Sequence, residues 1–525
     1  MFTTKKKRVE YLRRVWGKPV DKFRDIDLIA SYHNLLNPEE DNSIVDKKTW
    51  NDLDLDSFFS KIDRNISGIG QQYLYHILHK FEKDENILKK RFELFSYLKR
   101  DKECRERIQI KLFGLSGQAS YFAASLLLNK SIPFNKYFRL FYLWPVLLVI
   151  SFLLIAIKPV FLIAGLAVLL INLVLHNLFS KSIYEYFIGF SSLNSLITAA
   201  VSIGKIKTGI PVAEIEFLKQ KSSMLTSLNK KLGYLVIDKE SLNGLALIGI
   251  EYLNMFLMYD VIAYYRSVNV LLKNQNEIHE VFKCVAGLDA SISVASYLEE
   301  LPVFSTPVFN NSGLMNFRNL YHPLISDAVP NSLDNLSKSL MITGSNMSGK
   351  TTFIKTIGIN FILSQTLYFS LSEEINIPAL IVKSAIRRNE DLGEGKSYFF
   401  AEIEALNNFI KLSEEKDKYL FLIDEIFRGT NTVERLASSA AVLNYLDKRS
   451  RVFVTTHDIE LQDLLGGNFK MFHFSEQVED GKFFFNYKIK EGPCTSGNAI
   501  KLLQIMKYPD SIITEAKTVV KELLK

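Results

Sequence analysis

The sequence predicts a multidomain chain: a helical core and lever region with a transmembrane helical hairpin, then a C-terminal α/β domain built on a phosphate-binding loop. Three observations carry this. Leu340 to Thr352 is a short apolar run followed by Gly-Ser-Asn-Met-Ser-Gly-Lys-Thr, and helical apolar spacing follows at Phe353, Ile354, Ile357, Phe361 and Ile362. A second apolar run, Tyr419 to Ile423, ends in Asp424 and Glu425. Between Leu140 and Leu175, Lys158 is the only charged residue.

A chain of 525 residues has room for about two to four domains. With 48% hydrophobic and 23% charged residues it is neither disordered nor wholly membrane-embedded. A net charge of +7 is compatible with nucleic acid or an anionic lipid surface and decides neither. Cys104, Cys284 and Cys494 are far apart, which excludes a zinc cluster within one motif and a disulfide framework, and predicts reduced thiols in the cytosol. The basic run Lys5 to Arg8 leads into Val9-Glu10-Tyr11-Leu12 with no apolar stretch, so no signal peptide is expected and the run reads as solvated.

In order, residues 1–49 read as an N-terminal segment of short polar helices with Pro19 and Pro38. Residues 50–135 read as the first part of the helical core. Apolar residues there take helical spacing at Tyr73, Leu74, Ile77 and Leu78, and Gly68 and Gly70 mark a loop ahead of them. Residues 136–180 hold the hairpin. Its runs, Leu140 to Ile157 and Val160 to Leu175, are each close to the roughly 20 residues that cross a hydrocarbon core. Tyr142 and Trp144 sit near the entry point. Lys130, Lys136 and Arg139 before the pair and Lys181 after it place both ends on the cytoplasmic side of the cell (inner) membrane, with Lys158-Pro159 at the far tip. Asn172 is expected to face the first helix or a partner's. The alternative is a helical pair buried in a soluble core.

Residues 181–305 read as further long helices of the core. Leu245 to Tyr265 is also apolar, but Glu251 and Asp260 lie inside it, and uncompensated carboxylates are expensive at membrane depth. It is therefore expected as part of a long soluble helix reaching Lys273, followed by another from Ile278 to Leu301. After Pro302 the residues turn β-like, and residues 306–525 form the α/β domain.

The glycine loop specifies its own chemistry. Gly344 and Gly349 let the backbone wrap a phosphate chain, and successive N–H groups from Ser345, Asn346, Met347 and Ser348 through Thr352 meet the phosphates at a helix N-terminus. Lys350 adds a full charge, and the Thr351 hydroxyl can ligate magnesium. Asp424 would hold magnesium through water or Thr351, and Glu425 is placed as general base on the attacking water. A third strand, Val452 to Thr456, ends in His457, which is expected to sense the γ-phosphate. ATP and Mg2+ are the implied cofactors. Gly393 to Phe399, ahead of a helix carrying Glu402 and Glu404, suggests a loop that moves or packs on another surface.

These residues resemble the MutS family, the ATPases of DNA mismatch repair. Thr343 to Thr352 resembles its T-G-x-N-M-x-G-K-[ST]-[ST] loop, and Asp424 to Thr432 is similar to its D-E-x-x-R-G-T-x-T segment. Thr456-His457 matches its T-H switch, Tyr321-His322-Pro323 its R-H-P entry, and Gly492 to Ile500 its G-x-x-x-x-S-x-G-I region. The resemblance covers about 320 to 525, and extends weakly to Phe58 to Gly70 and to the helices from 214 to 301.

It implies a P-loop ATPase domain whose ATP-driven homodimer closure moves the lever helices, with dimerisation through the C-terminal helices. It also implies that Ser397 serves the partner's nucleotide in trans and that Tyr487 closes one side of the base. Ala328 stands where the family often carries an adenine-stacking phenylalanine, and Glu434-Arg435 replaces its usual Asp-Gly. No segment reads as a mismatch-reading domain or a clear clamp, so double-stranded DNA is an implied partner without mismatch specificity. The rival readings are a DNA clamp, a transporter-like ATPase and a nucleotide-switched membrane scaffold.

Overall fold

The computed structural model describes residues 4–36, 41–129, 132–134, 136–233, 249, 252, 254–345, 348–386, 398–416, 418–427, 430–479, 482–493, 504 and 508–523. Asn346, Met347, Ser397 and Cys494 lie outside them.

The helices of the first half are α1 (Lys5–Val15), α2 (Ile26–Leu35), α3 (Lys47–Asp52), α4 (Leu55–Ile62), α5 (Gly68–His79), α6 (Glu85–Arg100), α7 (Lys102–Leu112) and α8 (Phe122–Leu128). Then come α9 (Leu143–Leu154), α10 (Phe161–Ile203), α11 (Ala213–Gln220), α12 (Ser222–Leu232), α13 (Tyr259–Lys273) and α14 (Gln275–Glu300). Two compact units result, each assembled from separate stretches. One is Met1–Pro38, Lys61–Ile77 and Glu93–Glu300, and the other is Glu39–Ser60, Leu78–Phe92 and Leu301–Lys525. Residues 39–60 and 78–92 thus group with the α/β residues that follow Leu301.

In the first unit, Gly68 and Gly70 are not a loop ahead of a helix but the first turn of α5. A Cβ on Gly68 would lie 2.5 Å from Ser120 Oγ, and one on Gly70 2.3 Å from Asp289 Oδ2, so close approach requires glycine at both. Asp289 accepts hydrogen bonds from the backbone of Ile66 and Ser67 and from the Ser67 hydroxyl. Burial nevertheless pushes its carboxyl up to about 6.

The apolar hairpin is α9 and α10 joined around Lys158-Pro159. Helix α10 has 43 residues and runs through position 180 unbroken, so no boundary falls there. Its most apolar window is only 11% buried, and Leu143, Val146, Leu147, Ile150 and Leu153 of α9 are exposed too. The two helices meet at Gly165, where a Cβ would stand 3.0 Å from Ser151 Oγ. Further along, Phe190, Leu193, Leu196, Ile197, Ala200 and Ile203 of α10 are buried in the unit's core. Helix α14, comparable in length to a span, is 83% buried over its apolar window and is a core helix.

The Asn172 amide donates to the carbonyl of Phe256 at 2.7 Å, a partner outside the hairpin. The long helix expected to reach Lys273 is interrupted at Met258, left-handed at φ 52°, between a helical turn at 254–257 and α13 from Tyr259. Glu251 and most of the stretch before it lie outside the described residues. Asp260 is not uncompensated, since His176 Nε2 lies 2.9 Å from its carboxylate and Tyr184 donates to it at 3.2 Å.

In the second unit the strands are β1 (Val308–Phe309), β2 (Met315–Leu320), β3 (Asn331–Leu336), β4 (Ser339–Thr343), β5 (Glu374–Ile377), β6 (Ile381–Ala385), β7 (Tyr419–Asp424), β8 (Arg451–Thr455), β9 (Phe469–Glu479) and β10 (Lys482–Glu491). Its later helices are α15 (Lys350–Thr366), α16 (Tyr398–Ser413), α17 (Thr432–Asp447), α18 (Leu461–Leu465) and α19 (Asp510–Leu523). A six-stranded sheet has the order β10-β9-β4-β8-β7-β6, parallel except for β10, and β1-β5-β2-β3 form a smaller mixed sheet. The first five residues of β7 and all of β4 are buried, as continuous apolar runs in a parallel sheet require.

The outer edge at β6 is covered by α3. Asp52 accepts from Ser384 Oγ and from the Ile386 amide, both at 2.8 Å, and Lys383 donates to the Ile44 carbonyl at 3.1 Å. Trp50 stacks on His79 at 3.5 Å between ring centroids. Lys355 of α15 pairs with Asp54 at 2.8 Å, and burial lowers the affinity of that ammonium for its proton.

Candidate nucleotide site

Strands β4, β7 and β8 run parallel, so their carboxyl ends open on one edge of the sheet, where ligands of such sheets bind. Register fixes what meets there: Ile342 pairs with Thr455, and Asp424 pairs with Thr455 from the other side. The loop after β4 turns through Gly344 at φ 142° and enters α15 through Gly349 at φ 104°, values that L side chains rarely adopt. A Cβ on Gly344 would also lie 2.6 Å from the Phe474 carbonyl.

Lys350 is buried and folds back on its own loop, donating to the carbonyls of Gly344 at 2.8 Å and Ser345 at 2.9 Å. Ser348 Oγ donates to the same Ser345 carbonyl at 2.8 Å and braces the turn. One residue on, Thr351 donates to Asp424 Oδ2 at 2.9 Å, and Thr455 donates to Asp424 from the other side. Glu425 stands in the left-handed region at φ 58°, its amide held by the Thr455 carbonyl at 3.0 Å. His457 Nε2 lies 2.8 Å from Glu425 Oε1 and 3.3 Å from Lys350 Nζ. The histidine thus touches both the lysine and the carboxylate, each drawn from a separate motif.

Lys350 and Glu425 face a cavity of about 470 Å3, which Ser345, Gly349, Thr351, Thr352 and Tyr487 also line. Tyr487 lies over the loop, since a Cβ on Gly349 would stand 3.3 Å from its ring. Ala328 lines the wall as well, with no aromatic ring to offer. Sequence reasoning missed Asn331. Its amide donates to the Tyr487 carbonyl at 2.9 Å and its oxygen accepts from the Ile489 amide at 2.9 Å. Those bonds hold Tyr487 at φ 52°, inside the register shift of β10. No local signal links positions 331 and 487. His322 and Asp327 also line the cavity, and of these only His322 stood in a recognisable motif.

The oxygens of Thr351 and Asp424, already adjacent, fit magnesium, which takes a few hard oxygen ligands and completes its shell with water and phosphate. Among the described residues no group of three or more His, Cys, Asp or Glu could hold a metal on its own. The glycine cradle and Lys350 fit a phosphate chain. Glu402 of α16 accepts from the Phe427 amide, bringing that helix to the turn after Glu425.

Residues 340–524 match the family model of MutS domain V. The DNA mismatch repair protein MutS of Listeria monocytogenes serotype 4a (strain HCC23) is 29% identical over 320 residues, 58% of this chain and 36% of that protein. MutS of Listeria welshimeri serovar 6b is 30% identical over 275 residues, 49% of this chain and 31% of the relative. MutS of Clostridioides difficile (strain 630) is 28% identical over 283 residues, 51% and 29% of the two chains. The chain spans about a third of the length of these curated relatives. With the loop, the paired acids and the histidine assembled at the carboxyl edge of one sheet, and with the match running from β4 onward, residues 340–524 form a MutS domain V.

Proposed function

We propose that this chain binds ATP with magnesium in the cavity beside Lys350 and hydrolyses it, and that the cycle closes and opens a homodimer tethered to a membrane. The observation that carries the reading is the contact of His457 with both Lys350 and Glu425, two residues that line one cavity, with Thr351 already on Asp424. On binding, Lys350 exchanges the carbonyls of Gly344 and Ser345 for phosphate oxygens. Magnesium held by Thr351 and Asp424 supplies charge neutralisation on the phosphates. Glu425 takes the proton of the attacking water as the bond to the departing ADP oxygen breaks. His457, touching both Glu425 and Lys350, orients the base and registers whether the γ-phosphate is present. Ser397 serves the partner's nucleotide, and dimer closure moves the helices α11 to α14.

The membrane reading is supported by the exposure of α9 and the first part of α10. Their apolar side chains face outward over a stretch without charge except Lys158, and a bilayer is the medium that makes such a surface stable. The hairpin of 140–175 is embedded in the cell (inner) membrane with Lys158-Pro159 at its far tip, and the ATPase unit is cytoplasmic. Small residues support its packing, because Gly165 against Ser151 lets the two helices approach closely. Double-stranded DNA as a partner rests on the relatives named for mismatch repair.

One experiment separates these parts. ATP turnover by the purified chain is measured with magnesium, with and without perfect and mismatched duplex, alongside carbonate extraction of membranes. The reading expects turnover and resistance to extraction. A chain without turnover is no ATPase, release by carbonate removes the hairpin from the bilayer, and a rate unchanged by any duplex removes DNA.

A further inference from the structure

The turn that carries His457 is fixed by more than the sheet. The Thr456 amide donates to the Ile342 carbonyl at 3.0 Å, and the Asp458 amide to Thr456 Oγ1 at 3.0 Å. The carboxylate of Asp458 is then gripped at both oxygens by one guanidinium: Arg435 Nε to Oδ2 at 2.9 Å and Nη2 to Oδ1 at 2.8 Å. Two parallel N–H···O bonds fix orientation as well as distance, which a single contact does not. Arg435 lies in the first turn of α17, four positions after Asn431, whose side chain caps that helix by accepting from the Glu434 amide at 3.0 Å. Helix α17 is the element that follows Glu425. Arg435 thus joins the first turn of α17 to the turn that carries His457. These positions also depart from the resembling pattern, since Glu434-Arg435 stands where Asp-Gly is usual.

We propose that Arg435 is a positioning residue: its paired hydrogen bonds to Asp458 tie the helix following Glu425 to the turn bearing His457 and hold the imidazole against Glu425 Oε1. The inference rests on the ATPase reading for its effect on rate, but not for its effect on the histidine. Without the clamp, the turn keeps the bonds of the Thr456 and Asp458 amides and His457 its contacts with Glu425 and Lys350, but the orientation that the paired bonds impose on Asp458 is lost. Misplacement of a reacting group by about 1 Å costs up to roughly a hundredfold in rate. Nucleotide affinity depends on the glycine loop and Lys350, which Arg435 does not touch, so the loss belongs to kcat.

The test uses the full chain and four forms: wild type, Arg435→Ala, His457→Ala and the double variant. Arg435→Ala is expected to lower kcat about tenfold or more with KM for ATP within about twofold. The double variant is expected to turn over at the rate of His457→Ala alone, because the clamp acts through that side chain. Independently of turnover, the His457 Cε1–Hε1 resonance, identified by its loss in His457→Ala, is expected to shift in Arg435→Ala. An unchanged kcat, an equal fold-loss in the His457→Ala background, or an unmoved resonance overturns the proposal. If the wild type itself does not hydrolyse ATP, the ATPase reading fails and the resonance alone decides the clamp.

Discussion

Replacing Asp52 with alanine tests whether residues 39–60 are an integral part of the α/β unit. Asp52 is 2% exposed and its carboxylate takes two hydrogen bonds at 2.8 Å, from Ser384 Oγ and the Ile386 amide. It also helps hold the charge on Lys355 against the cost of burial. A hydrogen bond to a charged group contributes about 1.5–3 kcal/mol net, and two buried donors would lose their acceptor. Removing the desolvation cost of the carboxylate offsets part of this, so a loss of about 3 kcal/mol is expected. Both bonds end on Oδ2, so Asp52→Asn, whose amide oxygen can still accept both but carries no charge, should lose about half as much. The reporter is built in: the chain has three tryptophans, and with Trp16 and Trp144 changed to phenylalanine only Trp50 remains, buried and stacked on His79 within this unit. Urea unfolding followed at Trp50 then gives the midpoint and slope. A loss under about 1 kcal/mol for Asp52→Ala would show that α3 lies on the sheet edge without stabilising it.

Glu425→Gln should retain ATP binding by equilibrium titration and lose hydrolysis about a hundredfold or more, since the amide keeps the shape but accepts no proton; normal turnover would place the base elsewhere. Ser397→Ala should lower activity with its own loop intact, and mixing it with Lys350→Ala should recover part of the rate in mixed dimers, each holding one complete site; no recovery on mixing argues against action in trans. Asp289→Asn probes the buried carboxyl of the first unit. Because its folded value is raised from 3.8 to about 6, the folded chain holds a proton that the unfolded chain releases in that window. Its contribution to stability is full below 3.8 and is lost as pH rises through 6. Unfolding midpoints of the wild type should therefore fall more steeply than those of Asp289→Asn between those values, and parallel profiles would contradict the assignment.

The candidate nucleotide site was legible because its residues are packed into short contiguous motifs. Gly344 to Thr352, Asp424-Glu425 and His457 each close a strand, and parallel strands deliver their carboxyl ends to one edge, so the motifs had to meet. The second unit was not legible in full. Asp52 reaches Ser384 and Ile386 across 332 and 334 positions, and pairing at that range leaves no local periodicity. The same holds for Asn331 beneath Tyr487 and for Asp458 beneath Arg435. In the hairpin, charge depletion marked the two helices. It could not show that α10 continues past the apolar region into the core, nor that Asn172 and His176 meet Phe256 and Asp260. An uncharged run reads as a span, whereas a polar residue inside it reads only as a cost until its partner is known.

The most direct test of the central claim is steady-state ATP hydrolysis by the full chain with magnesium, wild type against Lys350→Ala. Lys350 is buried at the helix N-terminus, against the loop carbonyls and His457, and among the described residues no other lysine or arginine lines the cavity. The account predicts turnover in the wild type and a rate at background in the variant, because the phosphates lose the cation placed to meet them. Undiminished hydrolysis by Lys350→Ala would contradict it.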